Sequence, residues 1–233
     1  MNNPFHITIK ELNYNEAPTI FNRFSMIDSI KDFTMDIQSG RIYGVIGGLG
    51  LGGWLLSYLL AGKGMDYKSS SSITMNQKSI SSSDMRNISC YIGEGVAEYP
   101  YGKKYFCPFL KKRITVKDQI NQGIKTSNNK YSVQQICELF ELSVRADRPL
   151  EANGIEVWRA SIAIGFAFQK ALFCAPWLEA QWFPYLLNAY NKRFFSILKA
   201  HGSAVLLPVS HEKYVQDIAD EIVYLKDHFI GYC

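Results

Sequence analysis

A stretch of 21 residues without a charge, Ile42 to Gly62, constrains this chain more than any other feature. Its length and apolarity would by themselves admit a membrane-spanning helix. Seven of its residues are glycine, however, and five of those crowd into Gly47, Gly48, Gly50, Gly52 and Gly53, where an unbroken helix would lose stability at every step. The segment instead predicts a buried strand over Arg41 to Ile46, a tight glycine loop, and an apolar helix over Trp54 to Ala61.

The rest of the chain supplies the partners that such a strand and helix need. With 47% apolar, 20% charged and 14% aromatic residues among 233, the composition is that of a globular protein of one domain or two small lobes. A net charge of +4, from 25 basic against 21 acidic residues, gives no concentrated electrostatic footprint, and no nucleic-acid partner is expected. Five cysteines, scattered and without a CxxC pair, indicate neither a disulfide framework nor a zinc site. The opening MNNPFHITIKELNY lacks a basic segment followed by an apolar run, so no export signal is expected.

Along the chain, strands are predicted over His6 to Leu12 and Ser29 to Ile37, the second alternating Ile30, Phe33, Met35 and Ile37 imperfectly with polar residues. Lys68 to Asp84 reads as a surface hairpin or loop, Ile88 to Ile92 as a strand, and Tyr99 to Phe109 as an aromatic loop. Helices are expected over Thr115 to Lys125, over Ser132 to Leu142 with Ser132 and Gln135 as a capping box, and over Ile155 to Ala171. A buried strand end follows at Leu172 to Ala175, stopped by Pro176. Then come a helix over Leu178 to Ala200 interrupted by Pro184, a strand over Ser203 to Val209, and a closing helix and strand over Val215 to Tyr224. Strands alternating with helices predict an α/β fold with a parallel-rich core sheet and a helical insertion over 93–170.

A glycine loop between a buried strand and a helix can close its backbone N–H groups around phosphate oxygens. Aligned on G-x-x-x-x-G-K-[ST], Gly47 and Gly52 fall in place, but Gly53 stands where a lysine should neutralise phosphate and Trp54 where a hydroxyl should hold magnesium. Trp54 either fills the phosphate position or packs as an ordinary helix residue. The same loop also fits G-x-G-x-x-G as Gly48, Gly50 and Gly53, a dinucleotide fingerprint. Its companion carboxylate, expected about 20 residues on, is missing from Ile73 to Gln77.

In the order of its segments the chain resembles the nucleotide-binding subunits of ATP-binding cassette (ABC) transporters, over nearly its whole length. The glycine loop takes the place of that family's Walker A motif. Glu94, in Tyr91-Ile92-Gly93-Glu94, stands where the family places its Q-loop glutamine. Ile114 to Ile120 resembles the entry to the family's helical lobe, and Ala152-Asn153-Gly154-Ile155-Glu156 loosely matches its LSGGQ signature, with Gly154 identical. Cys174, Ala175 and Pro176 fall on the D-E-P that ends Walker B, so both carboxylates are gone. His211 corresponds to the switch histidine, and Ile218 to Leu225 to the family's closing segment.

The resemblance implies a P-loop NTPase-like cassette, with residues 1–92 and 171–233 as a core lobe and 93–170 as a helical lobe. It further implies a cytoplasmic subunit, peripheral to the membrane through a membrane-spanning transporter subunit, and a homodimer or heterodimer with another cassette in which Asn153 and Gly154 face the partner. Tyr101 and Tyr105 lie where the family receives the membrane subunit. ATP is the implied cofactor. Its binding would rest on Gly47, Gly48, Gly50, Gly52, Gly53 and Trp54, with Tyr14, Phe21 and Phe24 available either to stack on adenine or to be buried in the sheet. Magnesium has no residue to hold it, and no metal site is expected. With the lysine, the magnesium hydroxyl and both acids absent together, little or no hydrolysis is expected. His211 and Glu94 are equally readable as a satisfied strand-end residue and a solvated carboxylate. The alternatives are a pseudo-ATPase regulatory module without a transporter, and a dinucleotide-binding enzyme using Gly48, Gly50 and Gly53.

Overall fold

A computed structural model describes residues 4–21, 24–63, 72–99, 106–107, 112–177 and 189–226. The Ile42 to Gly62 stretch divides as its glycines require. Strand β3 (Ile42–Ile46) is wholly buried, and after the loop comes helix α1 (Gly53–Leu60), on which Leu55, Leu56, Leu59 and Leu60 are buried. Among the described residues no helix is long and apolar enough to cross a membrane.

Two sheets share the core. Strands β1 (His6–Phe21) and β2 (Phe24–Gln38) pair antiparallel and are much longer than the alternation of their side chains suggests. They form a sheet of order β2-β1-β4-β5 with the hairpin β4 (Ser72–Met75) and β5 (Lys78–Ser79). The second sheet, of order β11-β3-β10-β9-β6, is parallel throughout and adds β6 (Ser89–Tyr91), β9 (Leu172–Cys174), β10 (Ala204–Val209) and β11 (Glu221–Tyr224). A short pair, β7 (Phe106–Cys107) with β8 (Lys112–Arg113), stands apart.

Period-two alternation sends the side chains of the parallel sheet into two apolar cores. Val205, Leu207, Val209 and Phe173 enter one core with the helices, while Ala204, Leu206, Leu172 and Cys174 enter the other with α1 and the antiparallel sheet. Helix α1 therefore lies between the sheets, packed on β2 and on the parallel strands. Each of its buried leucines contributes roughly 2 kcal/mol of burial.

The helical region carries its start signals. Helices α3 (Val116–Ser127) and α4 (Val133–Leu139) open on capping boxes, Thr115 with Asp118 and Ser132 with Gln135. They pack with α5 (Val157–Ala167), and α6 (Ala189–Ala200) packs on α5 and β10.

Two local expectations fail. The polar stretch read as a surface hairpin or loop as far as Asp84 does contain the hairpin β4–β5, but its last residues open helix α2 (Ser82–Ile88), which starts on a third capping box between Ser81 and Asp84 and buries Met85 alone. Near the C-terminus the expected helix after Val215 is a turn, preceded by one 3-10 turn at Glu212–Tyr214. Asp220 stops it there: its carboxylate accepts the Ile42 N–H at 2.9 Å and pairs with Lys199, which commits the chain to the sheet. The segment read as helix over 178–188 lies outside the described residues.

Candidate functional site: a glycine loop filled by the chain itself

All five parallel strands end on one edge, the edge where open α/β sheets hold ligands. The register sets Ile46 beside Val209, and the Gly47 N–H donates to the Val209 carbonyl at 3.0 Å. That edge therefore gathers the glycine loop after β3, Ala175 to Trp177 after β9, His211 after β10, and Glu94 after β6.

The loop turns on Gly50 (φ 81°) and Gly52 (φ 91°), and a Cβ at Gly52 would lie 2.4 Å from Ile30 Cγ1. Only glycine fits there. This brings the first amides of α1 against the N-terminal half of β2 and its Asp28, which is 1% exposed. The Gly52 N–H donates to Asp28 Oδ1 at 2.5 Å and the Leu55 N–H to Asp28 Oδ2 at 2.9 Å. Burial pushes the Asp28 carboxyl above its usual range, and the amides of Leu55, Gly52, Ser29 and Trp54 pull it back in part. A buried acid thus holds the helix N-terminus, where an anion is most stabilised.

Trp177 closes the same loop from the other side. Its indole N–H donates to the Gly47 carbonyl at 2.9 Å, and a Cβ at Gly53 would meet Trp177 Cδ1 at 2.6 Å. The direction a lysine at position 53 would take is occupied by an indole. Trp54 does not enter the loop. It stacks on Tyr58 one turn along α1, with ring centroids 4.5 Å apart.

At the end of β9, where the resemblance places two acids, stand two uncharged side chains. Cys174 and Ala175 are fully buried, burial pushes the Cys174 thiol well above its usual range, and the Ala175 carbonyl accepts the Ser57 hydroxyl. Among the described residues no group of three or more His, Cys, Asp or Glu side chains is placed to hold a metal ion. A cavity beside the loop, lined by Ile30, Lys31, Leu51, Tyr224 and Lys226 among others, has a volume of about 140 Å³. Ligand pockets usually measure roughly 300–1,000 Å³.

The other sequence candidates make their contacts outside the loop. Glu94 pairs with Lys63, whose ammonium also sits 5.1 Å from the Tyr91 ring centre. His211 is exposed, its ring 6.0 Å from that of Tyr214. Asn153 turns inward: it is buried and donates to the carbonyls of Pro149 and Leu150, while Gly154 is exposed at φ 54°. Tyr14 is half-buried against the core. The side chains of Phe21 and Phe24, together with Tyr101 and Tyr105, lie outside the described residues.

Asp28 and Trp177 were not among the sequence candidates. Asp28 falls one residue before the strand predicted from Ser29 and carries no local signal. Only its place opposite the first turn of α1 gives it a role.

The topology removes the dinucleotide alternative. That fingerprint needs the strand after α1 to lie parallel beside β3, but this chain passes from α1 to β4 in the antiparallel sheet, and the neighbours of β3 are β10 and β11.

Solved structures settle the architecture. One, described as the ATP-binding subunit of an ABC transporter, superposes with a TM-score of 0.59 over 94% of this chain and 85% of its own, at 14% identity. The fold is that of an ABC ATP-binding cassette. A second, cbiO1 from Clostridium perfringens, part of the cbiONQ ABC transporter complex, gives a TM-score of 0.62 over 94% of this chain and 84% of its own, at 15% identity. No protein-family model and no curated protein matches the sequence. A cassette fold implies ATP and magnesium. Here two loop amides hold Asp28, the side of Gly53 is occupied by Trp177, and the strand β9 ends in a buried thiol and methyl.

Proposed function

We propose that this chain is a cassette subunit of an ABC transporter that turns over little or no ATP at its own site. It acts by coupling its association with a second cassette to a membrane-spanning subunit. The observation that carries the reading is the end of β9, where Cys174 and Ala175 leave that strand end without a carboxylate. Phosphoryl transfer depends on positioned charge, and loss of even one such group commonly costs roughly 10²- to 10³-fold in rate.

In this reading residues 1–92 and 171–233 form the core lobe and 93–170 the helical lobe, with the stretch around Tyr101 and Tyr105 docking the membrane subunit. Gly154, exposed beside the start of α5, faces the second cassette. The chain is cytoplasmic and reaches the membrane through its partner.

The test is affinity capture of the tagged chain from detergent-solubilised membranes of its own host. The expected result is recovery of a polytopic membrane protein together with a cassette. Recovery of the chain only from the soluble fraction, without either, would contradict the reading and favour a regulatory module outside any transporter.

A further inference from the structure

The loop that should hold phosphate already holds an anion belonging to the chain. We infer that Asp28 is a built-in phosphate surrogate, which keeps the glycine loop and the first turn of α1 in their folded form without nucleotide and bars nucleoside polyphosphates from that loop. This inference rests on the fold and holds whether or not the chain serves a transporter.

Three observations converge on it. The Asp28 carboxylate accepts two amides at the mouth of α1, Gly52 and Leu55, which span the N-terminal turn that a phosphate would use. Carboxylate and phosphate oxygens satisfy such donors in the same way, through charge-assisted hydrogen bonds. Asp28 is also almost wholly shielded from water, so an incoming anion would have to displace it and leave a buried charge unpaired. Finally, the loop has shed what an external phosphate would need. Gly53 brings no cation, and the space that a lysine would cross is filled by Trp177. An internal carboxylate with an external phosphate beside it would place two anions on one helix terminus. The chain provides for only one.

Asp28 fits this role through its backbone position. Strand β2 runs antiparallel to β1 and passes Ser29 and Ile30 directly under Gly52, where a Cβ would lie 2.6 Å from the Ser29 carbonyl oxygen. A residue at position 28 is therefore delivered to the helix mouth by the strand itself. Its hold does not depend on a flexible loop.

The test compares wild type with Asp28→Ala and Asp28→Asn by thermal unfolding, titrating sodium pyrophosphate and then magnesium-free ATP, with sodium chloride matching the ionic strength. Wild type is expected to show no saturable shift. Asp28→Ala is expected to melt roughly 5 °C lower and to regain most of that loss saturably with pyrophosphate. Asp28→Asn, which keeps one acceptor oxygen, is expected to fall between the two. A wild-type response with the same midpoint as that of Asp28→Ala, or no gain in either variant, would overturn the inference.

Hydrogen exchange on wild type covers the case in which the variants fail to fold. The Gly52 and Leu55 amides are expected to be protected in buffer without any phosphate. Fast exchange that slows only on adding pyrophosphate would equally overturn it.

Discussion

The Trp177→Ala variant loses about 3–5 kcal/mol of stability at 25 °C, the usual cost of emptying a buried aromatic site. Trp177 is 4% exposed, and its indole both hydrogen-bonds the Gly47 carbonyl and lies against Gly53. Urea unfolding measures the effect, and a loss below about 1 kcal/mol would show that the indole does not pack in the loop. A companion substitution isolates the contact. Gly53→Ala alone costs about 1–3 kcal/mol, because its Cβ would press on Trp177 Cδ1 at 2.6 Å. Gly53 has no left-handed backbone to protect, so the penalty comes from crowding. In the Trp177→Ala background it should largely vanish, giving a coupling energy of about 1–2 kcal/mol. Simple additivity would mean that the lysine direction is open after all.

Gly52→Ala has the second large effect, through the backbone. At φ 91° any Cβ is strained, and this one would sit 2.4 Å from Ile30 Cγ1 and 2.6 Å from the Ser29 carbonyl oxygen. Strain of about 1–2 kcal/mol and separation of the loop from β2 add to a loss of about 3 kcal/mol or more. The loss should be accompanied by faster exchange of the Leu55 amide, since moving the loop off β2 takes Leu55 away from Asp28. A destabilised variant with an unchanged Leu55 amide would mean that the Asp28 contact does not depend on the close approach at Gly52.

These effects lie at the point where the sequence is both most and least informative. The run of glycines between β3 and α1 was legible because glycine and charge density alone separate a loop from a membrane span. The parallel sheet was legible because fully buried strands such as Ala204–Val209 are continuous apolar runs. The order of motifs pointed to the cassette architecture that the solved structures share.

Other elements were hidden for definite physical reasons. Helix α2 buries a single residue and so has no apolar stripe; its only signal was the Ser81 to Asp84 spacing, at the end of a serine-rich stretch. The turn after Val215 has the spacing of a helix, but Asp220 spends its carboxylate on Ile42, 178 residues away in sequence. Asp28 and Trp177 carry the least local signal of all. An aspartate on a strand and a tryptophan after a proline acquire meaning only when β2 and β9 deliver them to opposite sides of one loop. Trp54, at the position where the motif would have a magnesium-holding hydroxyl, turns instead along its helix to Tyr58.

The end of β9 and the filled loop together support the proposal that this chain turns over little or no ATP at its own site. The direct measurement is steady-state release of inorganic phosphate from magnesium ATP by the purified chain, beside a His211→Ala variant prepared identically. Wild type and variant should give the same trace, at the level of the buffer control. Turnover above that level that falls in the His211→Ala variant would contradict the account, because it would place working chemistry on a sheet edge that presents Cys174 and Ala175 where the acids should stand.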